Sequence, residues 1–112
     1  MELKLTVSGK NEIERILSLL ELGILVALNE EIIILEEVEG YFFNPYTVAR
    51  LEDMEISNEV IEVIRQGCEL EDVKSLLPHE YQNTIKRLRE ETIGNLKKIP
   101  IPSLPTPKLI NR

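Results

Sequence analysis

Five glutamates crowd the middle of the chain, Glu30, Glu31, Glu36, Glu37 and Glu39, and the sequence holds one histidine, His79, and one cysteine, Cys68. Carboxylates at this density raise the question of a metal site. A di-iron bundle needs Glu-x-x-His pairs, and no Glu stands three residues before His79. The spaced Asp/Asn and Gly of a calcium loop are missing as well. Without those patterns, such a run reads as a solvated acidic face or as a docking surface for a basic partner. Nucleophilic catalysis needs an activated side chain beside a base, and neither Cys68 nor His79 lies in a catalytic signature. Cys68 follows Gly67 at an expected helix end, where a small apolar residue often packs back on the helix. Ser8-Gly9-Lys10 lacks the first Gly and the following Ser/Thr of a phosphate loop. The expectation is a protein without catalytic residues, bound metal or cofactor.

A second constellation lies in LEDVKSLLPHEYQNTIKRLREE, residues 70–91. Over residues 70–90 it resembles a helix-turn-helix, and Gln82, Asn83, Lys86, Arg87 and Arg89 are of the types that read base edges or clamp phosphates. Three positions depart from the motif. Lys74 stands where a small residue usually permits close helix contact, Pro78 replaces the turn glycine, and His79 replaces a buried aliphatic. The rest of the chain is acidic, which opposes phosphate binding. DNA binding is therefore the alternative reading, behind protein binding.

The net charge of −7 is unevenly spread. Residues 1–72 carry 17 acidic and 5 basic side chains, a net of −12, while residues 73–112 carry 3 acidic and 8 basic, a net of +5. The two segments can attract each other, or the acidic one can steer a basic partner. A length of 112 residues suits one domain with one core. The single cysteine excludes an intrachain disulfide, and no signal-peptide pattern opens the sequence, so the expected setting is the cytoplasm. No apolar run is long enough to span a bilayer.

The element that must position these groups is the stretch 11–29, NEIERILSLLELGILVALN, read as one helix. Ile13, Ile16, Leu17, Leu20, Ile24, Ala27 and Leu28 form one apolar stripe at helical spacing, and Glu14, Arg15, Ser18 and Glu21 lie opposite. Asn11 with Glu14 has the spacing of a capping box. Further along, Leu22, Leu25 and Val26 fill the polar side, so this face is expected to be covered by the core or by a second subunit. Glu2–Ser8 alternates as a half-buried strand, paired with Ile32–Leu35 or with a second copy. Short helices follow. Asn44-Pro45 signals one start; Ser57, with Ile56 and Ile61 as a hydrophobic staple, signals another that stops at Gly67. The last helix runs from Pro78 to Lys98 with Tyr81, Ile85, Leu88 and Leu96 inward. Beyond it, IPIPSLPTPKLINR is an extended proline-rich tail with a Pro102-Ser103-Leu104-Pro105 spacing; if ordered, it straps a groove through Ile99, Ile101, Leu104 and Ile110.

The continuous stretch LELGILVALNEEIIILEEVEGYFFNPYTVARLE resembles a small family of uncharacterised bacterial proteins of about this length. The likeness covers most of the chain and, that family being a domain of unknown function, implies no activity. The expected fold is mainly α: a compact bundle of about five helices over residues 1–98 with a minor N-terminal β element, then a tail over 99–112. The expected role is binding or regulation, as an inhibitor or immunity-type adaptor whose acidic surface covers a basic protein. The partner is another protein, with a second copy of the chain as one candidate.

Overall fold

A computed structural model describes residues 1–102 and 109–111. Strand β1 (Leu3–Leu5) leads into helix α1 (Lys10–Asn29). Then come α2 (Leu35–Tyr41), α3 (Pro45–Asp53), α4 (Asn58–Gly67), α5 (Leu70–Leu76), a 3-10 turn (Pro78–Glu80), α6 (Tyr81–Lys98) and strand β2 (Leu109–Asn111). The mainly helical expectation holds. The strand's partner differs from the expected one: β1 pairs antiparallel with β2, Leu3 opposite Asn111 and Leu5 opposite Leu109. Ile32–Leu35 forms no strand. Its first residues complete the end of α1, where the Ile32 amide donates to the Ala27 carbonyl at 3.1 Å, and Leu35 opens α2. Ile99 packs on the core while Ile101 is exposed. Leu104 of the expected strap and Ser103, Leu104 and Pro105 of the Pro-x-x-Pro spacing lie outside the described residues.

The organising helix is present over the expected span, but its buried face is rotated from the expected stripe, which shares Leu28 with it and borders it through Ile13, Leu17 and Ile24. Its buried side chains include Glu14, Ser18, Glu21, Leu25 and Leu28, spaced four, three, four and three residues apart as one face of a helix requires. Ile16 and Ala27 are only half-covered, and Leu19 and Leu20 are exposed. Ile13, Leu17 and Ile24 flank the core. Glu14, Ser18 and Glu21, read as solvated, are thus turned inward, while Arg15 is half-buried. Nor does Asn11 cap the helix. The cap is Gly9 at φ 86°, a left-handed conformation suited to glycine, and it makes no side-chain cap bond.

Glu14 serves another helix instead. One of its oxygens, Oε2, accepts from the Ser57 amide at 2.8 Å and the Ser57 hydroxyl at 2.6 Å, placing a carboxylate at the N-terminus of α4, where the helix dipole favours an anion. Arg15 acts at the opposite pole of α6: its guanidinium donates to the carbonyls of Leu96 at 3.1 Å and Ile99 at 2.8 Å. The long helices α1 and α6 run antiparallel, since Arg15 meets the end of α6 while Leu28 shares a cleft with Tyr81 and Gln82 near its start. Their contact is the most extensive between helices, and α4 packs on both.

Local signals elsewhere behave as read. Asn44 Oδ1 accepts from the Thr47 amide at 2.9 Å with Pro45 beginning α3. Ile56 and Ile61 are both buried, as a staple requires. α1 and α3 each close with a six-to-one amide–carbonyl bond, Ile32 to Ala27 and Ile56 to Leu51. The residues at the left-handed position of these closures are Glu31 and Glu55, both at φ 58°, where glycine is usual. Among the described residues no helix is long and apolar enough to cross a membrane.

Gly67 ends α4 for a reason the helix-stop rule does not supply. A Cβ there would meet the ring of Phe43 at 2.5 Å, and Phe43 is itself 1% exposed within the core. The glycine makes room for the ring. Gly67→Ala is expected to destabilise the fold by about 1–3 kcal/mol, the usual range for overpacking. Denaturant unfolding checks this, with Gly94→Ala, whose added methyl meets nothing within 4 Å, as the neutral or stabilising control.

Candidate functional site

The five glutamates of the acidic run separate into two groups. Glu30 and Glu31 close α1. Glu31 lines a cleft of about 230 Å³ with Lys74, Tyr81 and Gln82, and the Lys74 ammonium lies 5.4 Å from the centre of the Tyr81 ring. Glu36, Glu37 and Glu39 lie on α2, the first two in its opening turn, where the dipole tolerates anions. Glu39, half-buried, is the inner member of this group. Its carboxyl is held above the usual range by partial burial, then by the charge of Glu71 and a side-chain hydrogen bond with it, and last by the charge of Glu36. Glu71 therefore belongs to the cluster, a residue of α5 that no spacing in the sequence connects with α2. The Glu37 carboxylate sits beside the Tyr41 hydroxyl and raises its pKa. Among the described residues no ion pair engages any of these carboxylates.

Cys68 follows α4 next to this cluster. Its thiol is pushed up by burial and then by Glu39 and Glu69, the opposite of what activates a nucleophile. His79 stands exposed with its Nε2 3.9 Å from Glu80. No group of three or more His, Cys, Asp and Glu side chains among the described residues is arranged to hold a metal ion.

The residues of the helix-turn-helix alternative all fall on α6 (Tyr81–Lys98). Asn83, Lys86 and Arg87 are exposed, while Gln82 and Arg89 are half-buried. Arg87 is engaged with Glu91 at 2.9 Å, one turn on. The Leu22, Leu25 and Val26 face divides: Leu25 is fully buried, Leu22 half-buried and Val26 exposed.

The side chain that sequence reasoning missed is Glu21. It is completely buried, and neither oxygen has a hydrogen-bond partner among the described residues; the same holds for the Ser18 hydroxyl one turn earlier. Thr92 on α6 is buried too but donates back to the Leu88 carbonyl at 2.9 Å. Loss of hydration pushes the Glu21 pKa from 4.5 to about 9, so the side chain is a neutral acid at pH 7. An isolated Glu on a helix looks alike in sequence whether it faces water or core.

The family model for a protein of unknown function, DUF3969, matches residues 8–111. The chain belongs to that family. The match begins just before α1 and ends with β2, so it takes in every helix described above. No curated protein and no solved structure matches the chain.

The Glu21 carboxyl links stability to pH with a definite sign. The folded chain keeps its proton up to about pH 9, whereas the unfolded chain releases it near the ordinary value. Its contribution is thus fully present below that ordinary value and is lost as pH rises toward 9. Between about pH 6 and about pH 8, where most other carboxylates are already ionised, stability should fall by up to about 1.4 kcal/mol per pH unit. Glu21→Gln should flatten that slope. Urea unfolding of both proteins across this range checks it.

Proposed function

We propose that this family member is a non-catalytic cytoplasmic binding protein, a regulator or inhibitor, which docks a basic protein segment on the acidic surface of α2 and α5. One observation carries the reading. Partial burial raises the pKa of Glu39; Glu71 and Glu36 lie close enough to raise it further, and among the described residues no ion pair engages the three. Carboxylates set against one another work against folding. A cationic partner turns that cost into attraction and speeds encounter. Tyr41, 71% exposed beside Glu37, supplies the aromatic anchor such interfaces favour. The clefts nearby are open and small, about 260 Å³ beside Leu76 and Leu77 and about 230 Å³ beside Tyr81, short of what a small-molecule site usually encloses.

The test is capture of a basic partner from native lysate at low and high salt. Wild type should retain a partner that Glu36, Glu37, Glu39 and Glu71, all changed to Gln, do not. A control with Glu2, Glu59, Glu80 and Glu90 changed to Gln carries the same net charge and should bind as wild type does. Equal loss in both variants would reduce the effect to net charge and remove the docking surface from the account.

A further inference from the structure

Helix α5 has two distinct sides. One buries Leu70 completely in the core. The other carries Glu69, Asp72, Val73, Leu76 and Leu77, which line an open cleft of about 260 Å³ with no other element of the chain among the described residues. Leu76 and Leu77 are 76% and 51% exposed. The five positions follow the i, i+3, i+4, i+7, i+8 spacing of a stripe that packs on another helix. The Val73 amide donates to the Glu69 carbonyl at 3.1 Å and the Leu77 amide to that of Val73 at 2.8 Å, so helical bonding reaches both ends of the stripe.

The charges on the stripe are all negative. Glu69 and Asp72 are exposed, and no ion pair engages either among the described residues. The single cation of α5, Lys74, stands on another side, over the Tyr81 ring and in a different cleft. Glu71 is turned toward Glu39 of α2. His79, just past the stripe, lies 3.9 Å from Glu80. Glu69 also joins the stripe to the acidic surface, because its charge and that of Glu39 both reach the Cys68 thiol.

We propose that this stripe docks an amphipathic helix of the basic partner, a reading that rests on the acidic docking surface above and adds an apolar anchor to it. Charge complementarity selects that occupant. Over about 12 Å from Glu69 to Leu77 the stripe passes from carboxylate to leucine. The helix that matches it passes from lysine or arginine to an aliphatic side chain within two turns. A wholly polar basic segment would leave both leucines in water. A wholly apolar one would cover Glu69 and Asp72 without a counter-charge, which opposes binding. A second copy of α5 fits in neither direction: antiparallel pairing sets acids against leucines, and parallel pairing sets acid against acid.

Fluorescence anisotropy on the full chain tests this with two labelled peptides of equal length and charge. One is an amphipathic helix of lysine and leucine, and the other has every leucine replaced by serine. Wild type should bind the leucine peptide tighter by roughly 10-fold or more, as burial of two leucine side chains allows. Changing Leu76 and Leu77 to Ser should erase that advantage with the circular dichroism unchanged. Changing Leu19 and Leu20, exposed on α1, to Ser should keep it. Changing Glu36, Glu37, Glu39 and Glu71 to Gln should weaken both peptides alike. Equal binding of the two peptides by wild type would overturn the apolar anchor and leave the acidic docking surface standing, whereas no binding of either would remove both. An advantage that survives Leu76→Ser with Leu77→Ser would overturn the anchor as well. So would a wild-type mass of twice 12.9 kDa in sedimentation equilibrium that the same double change halves, since a second copy would then cover the stripe.

Discussion

Two neighbouring side chains decide which way α1 faces. Glu14 accepts both Ser57 donors at the start of α4, and Arg15 donates to two carbonyls at the end of α6. Each meets a helix pole of opposite sign, the carboxylate at exposed amides and the guanidinium at exposed carbonyls. The two side chains leave α1 about 100° apart, so holding both fixes the helix in rotation as well as position. Leu25 and Leu28, further along the Glu14 side, must then enter the core. Ser18 and Glu21, lying between them, must enter it as well.

That orientation has a cost. At pH 7, keeping a carboxyl with a pKa of about 9 protonated against its ordinary value costs about 3 kcal/mol, a large part of the 5–15 kcal/mol that holds a typical domain together. The two unpaired oxygens and the Ser18 hydroxyl add to it. What offsets the cost is a continuous apolar layer on either side: Leu25 and Leu28 of α1 join Ile85 and Leu88 of α6 and Val60, Val63 and Ile64 of α4 in one cluster. Phe43 joins that cluster only because Gly67 lacks a side chain. The pole contacts set the rotation, and the apolar cluster stabilises it.

The sequence was legible where signals are local. Helix starts at Asn44 and Ser57, the staple of Ile56 and Ile61, and the inward face of α6 through Ile85 and Leu88 depend on neighbours a few positions away. The rotation of α1 was not legible, because this helix is apolar on two sides. A wheel centres the core face on the stripe from Ile13 and Ile16 through Leu17, Leu20, Ile24 and Ala27 to Leu28, whereas the rotation that Ser57 sets from forty-three positions away leaves Leu20 outside and Glu14 inside. The strand pairing failed for a related reason. Ile32 to Ile34 have the β-branched character of a strand, yet the closing bond of α1 claims the Ile32 amide, and β1 finds its partner at the far end of the chain. The acidic surface was half legible: the crowding of Glu36 and Glu39 follows from one short helix, while Glu71 arrives by tertiary packing.

A chain that buries glutamate on one side of its central helix and leaves leucine on the other has two ways to be stable in water. It can turn the helix over, which would expose Glu21 and cover Leu20. Doing so would break the contacts of Glu14 and Arg15 and withdraw Leu25 and Leu28 from the core, exchanging one unpaired carboxyl for two unsatisfied helix poles. It can instead keep the helix as it lies and cover the outer stripe from outside. The second way removes apolar surface from water without disturbing any contact already made.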